Sequence, residues 1–164
     1  MQNGHIEIPK LQGYGCFACG TANPIGLNLQ FYLAGEELCS DITLGKNYEG
    51  WANMAHGGIL STLLDEVMSW TIIVFKRVFF VTRKMEVKYI KPVMIGTPLT
   101  VKGRIAEESK NPKIKAKAEV CDQEGTLFAR AKGEFIVLPE ERLSQVPDRL
   151  KQDMNELFQR LSTV

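Results

Sequence analysis

Residues 57–75 constrain this chain more than any other stretch. They run from Gly57-Gly58-Ile59-Leu60 through Asp65-Glu66 to Ile72-Ile73-Val74-Phe75, with apolar residues on almost every face. A helix that is apolar all round belongs at the centre of a fold. The two adjacent acids are out of place there, because carboxylates are rarely buried unless paired or given a chemical task. The stretch also has about the length of a bilayer span. Asp65 near its middle costs roughly 2.5–3.5 kcal/mol on the membrane-insertion scale. Glu66, Ser61, Thr62, Ser69 and Thr71 make it a worse anchor still, so a core helix is expected and no membrane partner.

The rest of the chain has to cover that helix. Leu27–Leu33 alternates apolar and mostly polar residues and turns at Ala34-Gly35, and Glu37–Leu44 alternates again, which predicts an antiparallel hairpin. A loop over 45–56 leads into the helix. Four strands follow it: Val78–Lys91, Leu99–Glu107, Ile114–Val120 and Thr126–Leu138, separated by Gly96-Thr97-Pro98, Lys110-Asn111-Pro112 and Asp122-Gln123-Glu124-Gly125. In the first of these, Met85, Val87 and Tyr89 share one face and Lys84, Glu86 and Lys88 the other. Short turns between successive strands favour antiparallel neighbours. The expected fold class is α+β: six antiparallel strands wrapped around one long central helix, plus a C-terminal helix. The expected divisions are an irregular, glycine-rich segment over 1–26, a single domain over 27–138, and a helical tail over 139–164. In the tail, Leu150, Met154, Leu157 and Leu161 form one apolar stripe.

Charge and cysteine content narrow the partners. A net charge of +1 gives no broad basic field for nucleic acid. Four cysteines in a chain this size make no disulfide framework, and no secretory leader is visible, so a reducing cytoplasmic setting is expected. Cys16-Phe17-Ala18-Cys19-Gly20 is the one conspicuous feature of the first segment. Such a pair supplies half of a zinc site or a redox dithiol. Only His5, His56, Cys39 and Cys121 offer themselves to complete a zinc set, and no strand-helix redox context surrounds the pair. Buried thiols at a tight turn are therefore the preferred reading, with no metal.

His56-Gly57-Gly58, an acid at Asp65, and a strand running Thr82-x-x-Met85-x-Val87-x-Tyr89-x-x-Pro92 together resemble the hotdog-fold acyl-CoA thioesterases of the PaaI type. Cys16-Phe17-x-Cys19-Gly20 followed by Asn23-Pro24-x-Gly26-Leu27 resembles a lead-in found in one branch of them. The likeness covers roughly residues 16–138. It implies hydrolysis of acyl-CoA to acid and CoA, with no cofactor beyond the CoA of the substrate. Asp65 would be base or nucleophile, with Glu66 as the alternative acid, and the Gly57 N–H would be the oxyanion donor.

Thioester hydrolysis needs such a carboxylate and such a donor, and a helix start offers unpaired N–H groups and the positive end of the macrodipole. Asp65 is eight residues past Gly57, roughly 12 Å along the axis. One helix cannot bring both to one atom, whereas two antiparallel copies can, so a homodimer or a dimer of dimers is expected. Gly58 is read as a packing glycine beside the substrate, and Ser61, on the same strip as Asp65 and Ser69, as a small side chain that leaves room for a substrate or a facing helix. His56 is a candidate acid or a helix-start hydrogen bonder, and Thr82 a hydroxyl near the attacking water. Several relatives carry an amide six residues before the His, where this chain has Gly50; Asn53 is the candidate substitute. Arg83, Lys84, Lys88, Lys110 and Lys113 are candidates for the CoA phosphates. Two other readings stay open: a hotdog dehydratase or hydratase, whose His-Phe-Pro or Asp-x-Asn-x-x-His motifs are not found, and a non-catalytic acyl-CoA sensor.

Overall fold

In the computed structural model, which describes residues 4–106 and 109–164, one antiparallel sheet curls over one long helix. The strands are β1 (Ile6–Ile8), β2 (Phe31–Ala34), β3 (Glu37–Thr43), β4 (Phe80–Tyr89), β5 (Pro98–Ile105), β6 (Lys113–Asp122) and β7 (Leu127–Val137). Their order across the sheet is β1-β2-β3-β5-β6-β7-β4. Helix α1 (Gly57–Lys76) lies against β3, β5, β6, β7 and β4. A short α2 (Glu140–Leu143) and α3 (Asp148–Leu161) close the chain.

The alternation of the strands decides which face receives the helix. Leu99, Val101, Ile114, Val120 and Phe135 point inward and join Leu63, Leu64, Val67, Met68 and Ile72 of α1 in one core. Lys102, Arg104, Lys115, Lys117, Arg130 and Lys132 take the alternate, less buried positions. The seat of the helix is built from small residues: Gly103, Ala116, Ala118, Ala131 and Gly133 are all buried. At Gly103 a Cβ would stand 2.5 Å from Thr71 Oγ1 and 2.8 Å from Val67 Cγ1, so the helix rests on the strand backbone itself. Such contact needs glycine.

Two differences from the sequence reading have local causes. The sheet has seven strands, not six, because Ile6–Ile8 in the expected irregular segment pairs with β2 in the register Ile6↔Leu33 to Ile8↔Phe31. A three-residue strand is too short to show a periodic pattern. The strand expected from Leu27 starts only at Phe31. Leu27 and Leu29 donate their N–H groups to Phe17 and Ala18 carbonyls instead, and Asn28 takes a left-handed φ of +48°. The strand expected to end at Glu107 is described as far as Ile105, and Glu107 lies outside the described residues.

The tail packs on its own domain. Leu157 and Leu161 are buried, Phe158 meets Phe79 edge-on at 5.6 Å, and Asp153 accepts a hydrogen bond from Tyr14.

Candidate active site

The start of α1 is built around His56. It takes an extended conformation as the N-cap, and its Nδ1 accepts the Gly58 N–H at 2.9 Å. The ring nitrogen that accepts carries no proton, so Nε2 carries it. His56 O accepts from the Ile59 and Leu60 N–H groups. Among the described residues, the Gly57 N–H meets no acceptor. At Gly58 a Cβ would stand 3.0 Å from His56 Nδ1, a tight fit against the capping ring. Gly57 is different: a Cβ would meet only the Tyr89 ring, at an ordinary 3.5–3.6 Å. Nothing inside the protein demands a bare backbone at Gly57. His56→Ala is expected to lower stability by about 0.5–2 kcal/mol through loss of the cap, read by urea denaturation.

Gly57 lines a cleft of about 460 Å³ together with Trp51, Met54, His56, Leu60 and Tyr89, among others. Trp51 is 81% exposed and Tyr89 51%. Tyr89 was not singled out from sequence, where it reads as the apolar end of an alternating strand. Its hydroxyl donates to Gly57 O at 2.9 Å and bonds Ser61 Oγ, so it fixes the peptide at the mouth of the cleft.

Asp65 lies half-buried on the open side of α1, on the strip with Ser61 and Ser69. Its Oδ1 accepts from Thr82 Oγ1 at 3.2 Å. Strict alternation would put Thr82 on the outer face with Lys84, Glu86 and Lys88. Pairing with β7 runs Thr82↔Phe135 and then Lys84↔Glu134, leaving Arg83 as an extra residue. This bulge turns Thr82 inward to meet the acid, a recurrent use of bulges at sheet edges. Burial raises the Asp65 carboxyl above the ordinary aspartate range, the Thr82 hydrogen bond partly offsetting it.

Glu66 faces another neighbourhood. Trp70 Nε1 donates to its Oε1 at 3.0 Å, and Cys16 Sγ lies 3.9 Å from the same oxygen. Burial pushes its carboxyl up to about 7, against the donors from Cys19 and Trp70.

The other candidates scatter. Asn53, in a left-handed turn at φ +62°, has its amide oxygen held by Lys46 Nζ at 2.9 Å and does not line the cleft. Gly50, by contrast, does line it, and a Cβ there would stand 3.1 Å from His56 Cα, tighter than an ordinary contact. Lys113 pairs with Glu134 at 3.5 Å. Arg83, Lys84, Lys88 and Lys110 are exposed, the first three on β4, which pairs with β7 and forms one edge of the sheet.

A family model described as Thioesterase superfamily matches residues 52–129. No curated protein sequence matches the chain. Among solved structures, a thioesterase superfamily protein superposes with a TM-score of 0.64 at 22% identity, over 70% of this chain and 56% of that one. The chain thus spans little more than half the length of that protein. The E. coli PaaI protein from the phenylacetic acid degradation operon gives 0.62 at 15% identity, over 69% and 81%. A hypothetical thioesterase from Streptococcus pneumoniae, solved with coenzyme A, gives 0.56 at 21%, over 63% and 82%. The fold is that of the hotdog thioesterases, and the segment that matches the family model contains His56, Gly57, Asp65 and Thr82.

Proposed function

We propose that this chain hydrolyses acyl-CoA thioesters to free acid and CoA. The observation that carries the reading is the Gly57 amide, which among the described residues has no acceptor and belongs to a residue lining a largely apolar cleft. Preorganised donors aimed at a developing oxyanion are commonly the largest single contribution to acyl-transfer catalysis. The cleft volume falls within the usual range for small-molecule sites.

The Asp65 carboxylate takes a proton from water, and the resulting hydroxide adds to the thioester carbonyl carbon. The Gly57 N–H holds the tetrahedral oxyanion. The C–S bond then breaks, and the departing CoA sulfur takes the proton from Asp65. Thr82 orients the acid, Tyr89 and His56 hold the Gly57 peptide, and the cleft takes the acyl group. Arg83, Lys84, Lys88 and Lys110 are the cations open to the CoA phosphates. The S. pneumoniae neighbour, solved with coenzyme A, supports the ligand class.

The roughly 12 Å between Gly57 and Asp65 along α1 requires a second copy of the helix. We place Gly57 of one protomer opposite Asp65 of its partner. The unpaired edge of the ten-residue β4 supports this, because long open edges invite pairing.

A panel of acyl-CoAs with free-thiol release followed spectroscopically tests the reading, and light scattering gives the oligomeric state. Tight binding without thiol release across the panel would favour the acyl-CoA sensor. Gly57→Ala offers a sharper check: the protein accommodates the methyl group, so the melting point should hold, whereas turnover should fall on the order of tenfold because the substrate carbonyl no longer reaches the amide.

A further inference from the structure

The geometry points to a divalent-cation site formed by Cys16, Cys19 and Glu66, with zinc as the expected ion. One ligand atom from each of these residues lies within 4.8 Å of the other two. Cys16 Sγ and Glu66 Oε1 are 3.9 Å apart. Zinc–sulfur and zinc–carboxylate bonds at a tetrahedral angle put these atoms about 3.5 Å apart, so little adjustment is needed. Three protein ligands leave the fourth position to a water.

Independent features of the site fit a cation. The Cys16–Cys19 turn is fixed before any ion arrives: Gly20 N–H donates to Cys16 O at 2.9 Å, and Cys19 N–H approaches Cys16 Sγ at 3.5 Å. Gly20 is buried so tightly that a Cβ would stand 2.5 Å from Cys16 and Tyr14 backbone atoms. A turn that aims N–H groups at a sulfur favours the thiolate, which is the metal-binding form. Trp70 Nε1 orients the Glu66 carboxylate, the kind of outer support that ligating carboxylates commonly have.

Lys10 supplies the remaining charge. Its side chain is buried, with Nζ donating to Leu29 O, Cys19 O and Asn28 Oδ1, all neutral acceptors. Burial pulls its ammonium below the ordinary lysine range, and Cys19, Glu66 and Cys16 close by act in the opposite sense. A buried ammonium without a carboxylate partner is costly unless opposite charge stands close by. Two thiolates, one carboxylate, a divalent ion and Lys10 together sum to zero. The ion would tie the N-terminal segment to the middle of α1, and it would occupy Glu66, leaving Asp65 as the acid free for chemistry.

The test is cobalt(II) titration of the full chain under a phosphine reductant, read by absorption and independent of any thioesterase activity. One equivalent of cobalt should produce a thiolate-to-cobalt charge-transfer band, which zinc then removes by displacement. Cys16→Ser and Cys19→Ser should each lose the band or most of it. Glu66→Gln should keep a thiolate band with affinity lowered at least about tenfold, and Cys121→Ser should behave as the parent. Circular dichroism checks that each variant is folded. Should Cys16→Ser misfold, zinc bound per chain in the parent and in Glu66→Gln, measured by elemental analysis, carries the same comparison. The proposal is overturned if the fully reduced parent shows no band, if the band survives in Cys16→Ser, or if Glu66→Gln binds as tightly as the parent. The first of these would leave the pair as metal-free thiols at a tight turn.

Discussion

Asp65→Asn is expected to lower acyl-CoA turnover at least about tenfold while the fold and the oligomeric state persist. Asn is nearly the same shape and still accepts from Thr82 Oγ1, so the 3.2 Å contact has no reason to break. What disappears is the negative charge and the capacity to take a proton from water. In the proposed mechanism Asp65 does not touch the CoA portion, so the loss should fall on kcat rather than on KM. Unchanged turnover in Asp65→Asn would remove the acid from the mechanism. Turnover restored by a larger carboxylate at the same place, as in Asp65→Glu, would argue that any nearby acid suffices. Thr82→Val tests the orientation of the acid apart from its charge and should cost less than Asp65→Asn.

Gly103→Ala is the second large effect, this time on stability. The added Cβ would lie 2.5 Å from Thr71 Oγ1, 2.8 Å from Val67 Cγ1 and 3.1 Å from Val67 O. Thr71 is buried and donates to Val67 O at 2.6 Å, so its hydroxyl has nowhere to turn without losing that bond. Either α1 lifts from β5 or a buried donor is left unmade. Overpacking of this kind costs about 1–3 kcal/mol, a fall of several degrees in melting temperature for a chain of this size. Gly45→Ala is the control: its backbone is extended at φ −87° and a Cβ meets nothing within 4 Å, so the change should be near neutral. Because Asp65 rides on α1 and Thr82 on the sheet, Gly103→Ala should also reduce turnover beyond what lost stability explains. Melting curves and kinetics on the same preparations separate the two. An unchanged melting point would show that the helix has slack above β5.

Much of the fold was legible because it rests on periodicity. The apolar run after His56 became α1, the alternating runs on either side became strands, and the leucine stripe of the tail became α3. These patterns record which face meets the core, and burial is what the sheet and helix have in common. Charges were less informative. The cations put forward for phosphate contact stand exposed on β4 or, like Lys110, just before β6, and Lys113 already pairs with an acid, because a solvated face and a ligand site select the same residue types.

Asn53 illustrates a different gap. Counting residues back from His56 made it a candidate, yet a left-handed turn and the Lys46 ammonium hold its side chain elsewhere. Spacing along a loop says little about direction. Glu66 carries the same lesson for the Cys16–Cys19 pair. Zinc spacing drew attention to histidines and cysteines, whereas the third group is a carboxylate roughly fifty positions along, brought in by the packing of the N-terminal segment on α1.

By itself the sequence determined one apolar helix behind a capped pair of glycines, its two acids, and the strands needed to cover it. Local preference and burial are encoded residue by residue, which is why these could be read. The tertiary structure decided what each polar group meets. The bulge at Arg83 turned Thr82 from the outer face to Asp65, Tyr89 crossed onto the Gly57 peptide, and Glu66 was directed to two thiols while Asp65 stayed on the open side. Those outcomes depend on strand register and on segments distant in the chain, and a shift of one residue in pairing exchanges the two faces of a strand.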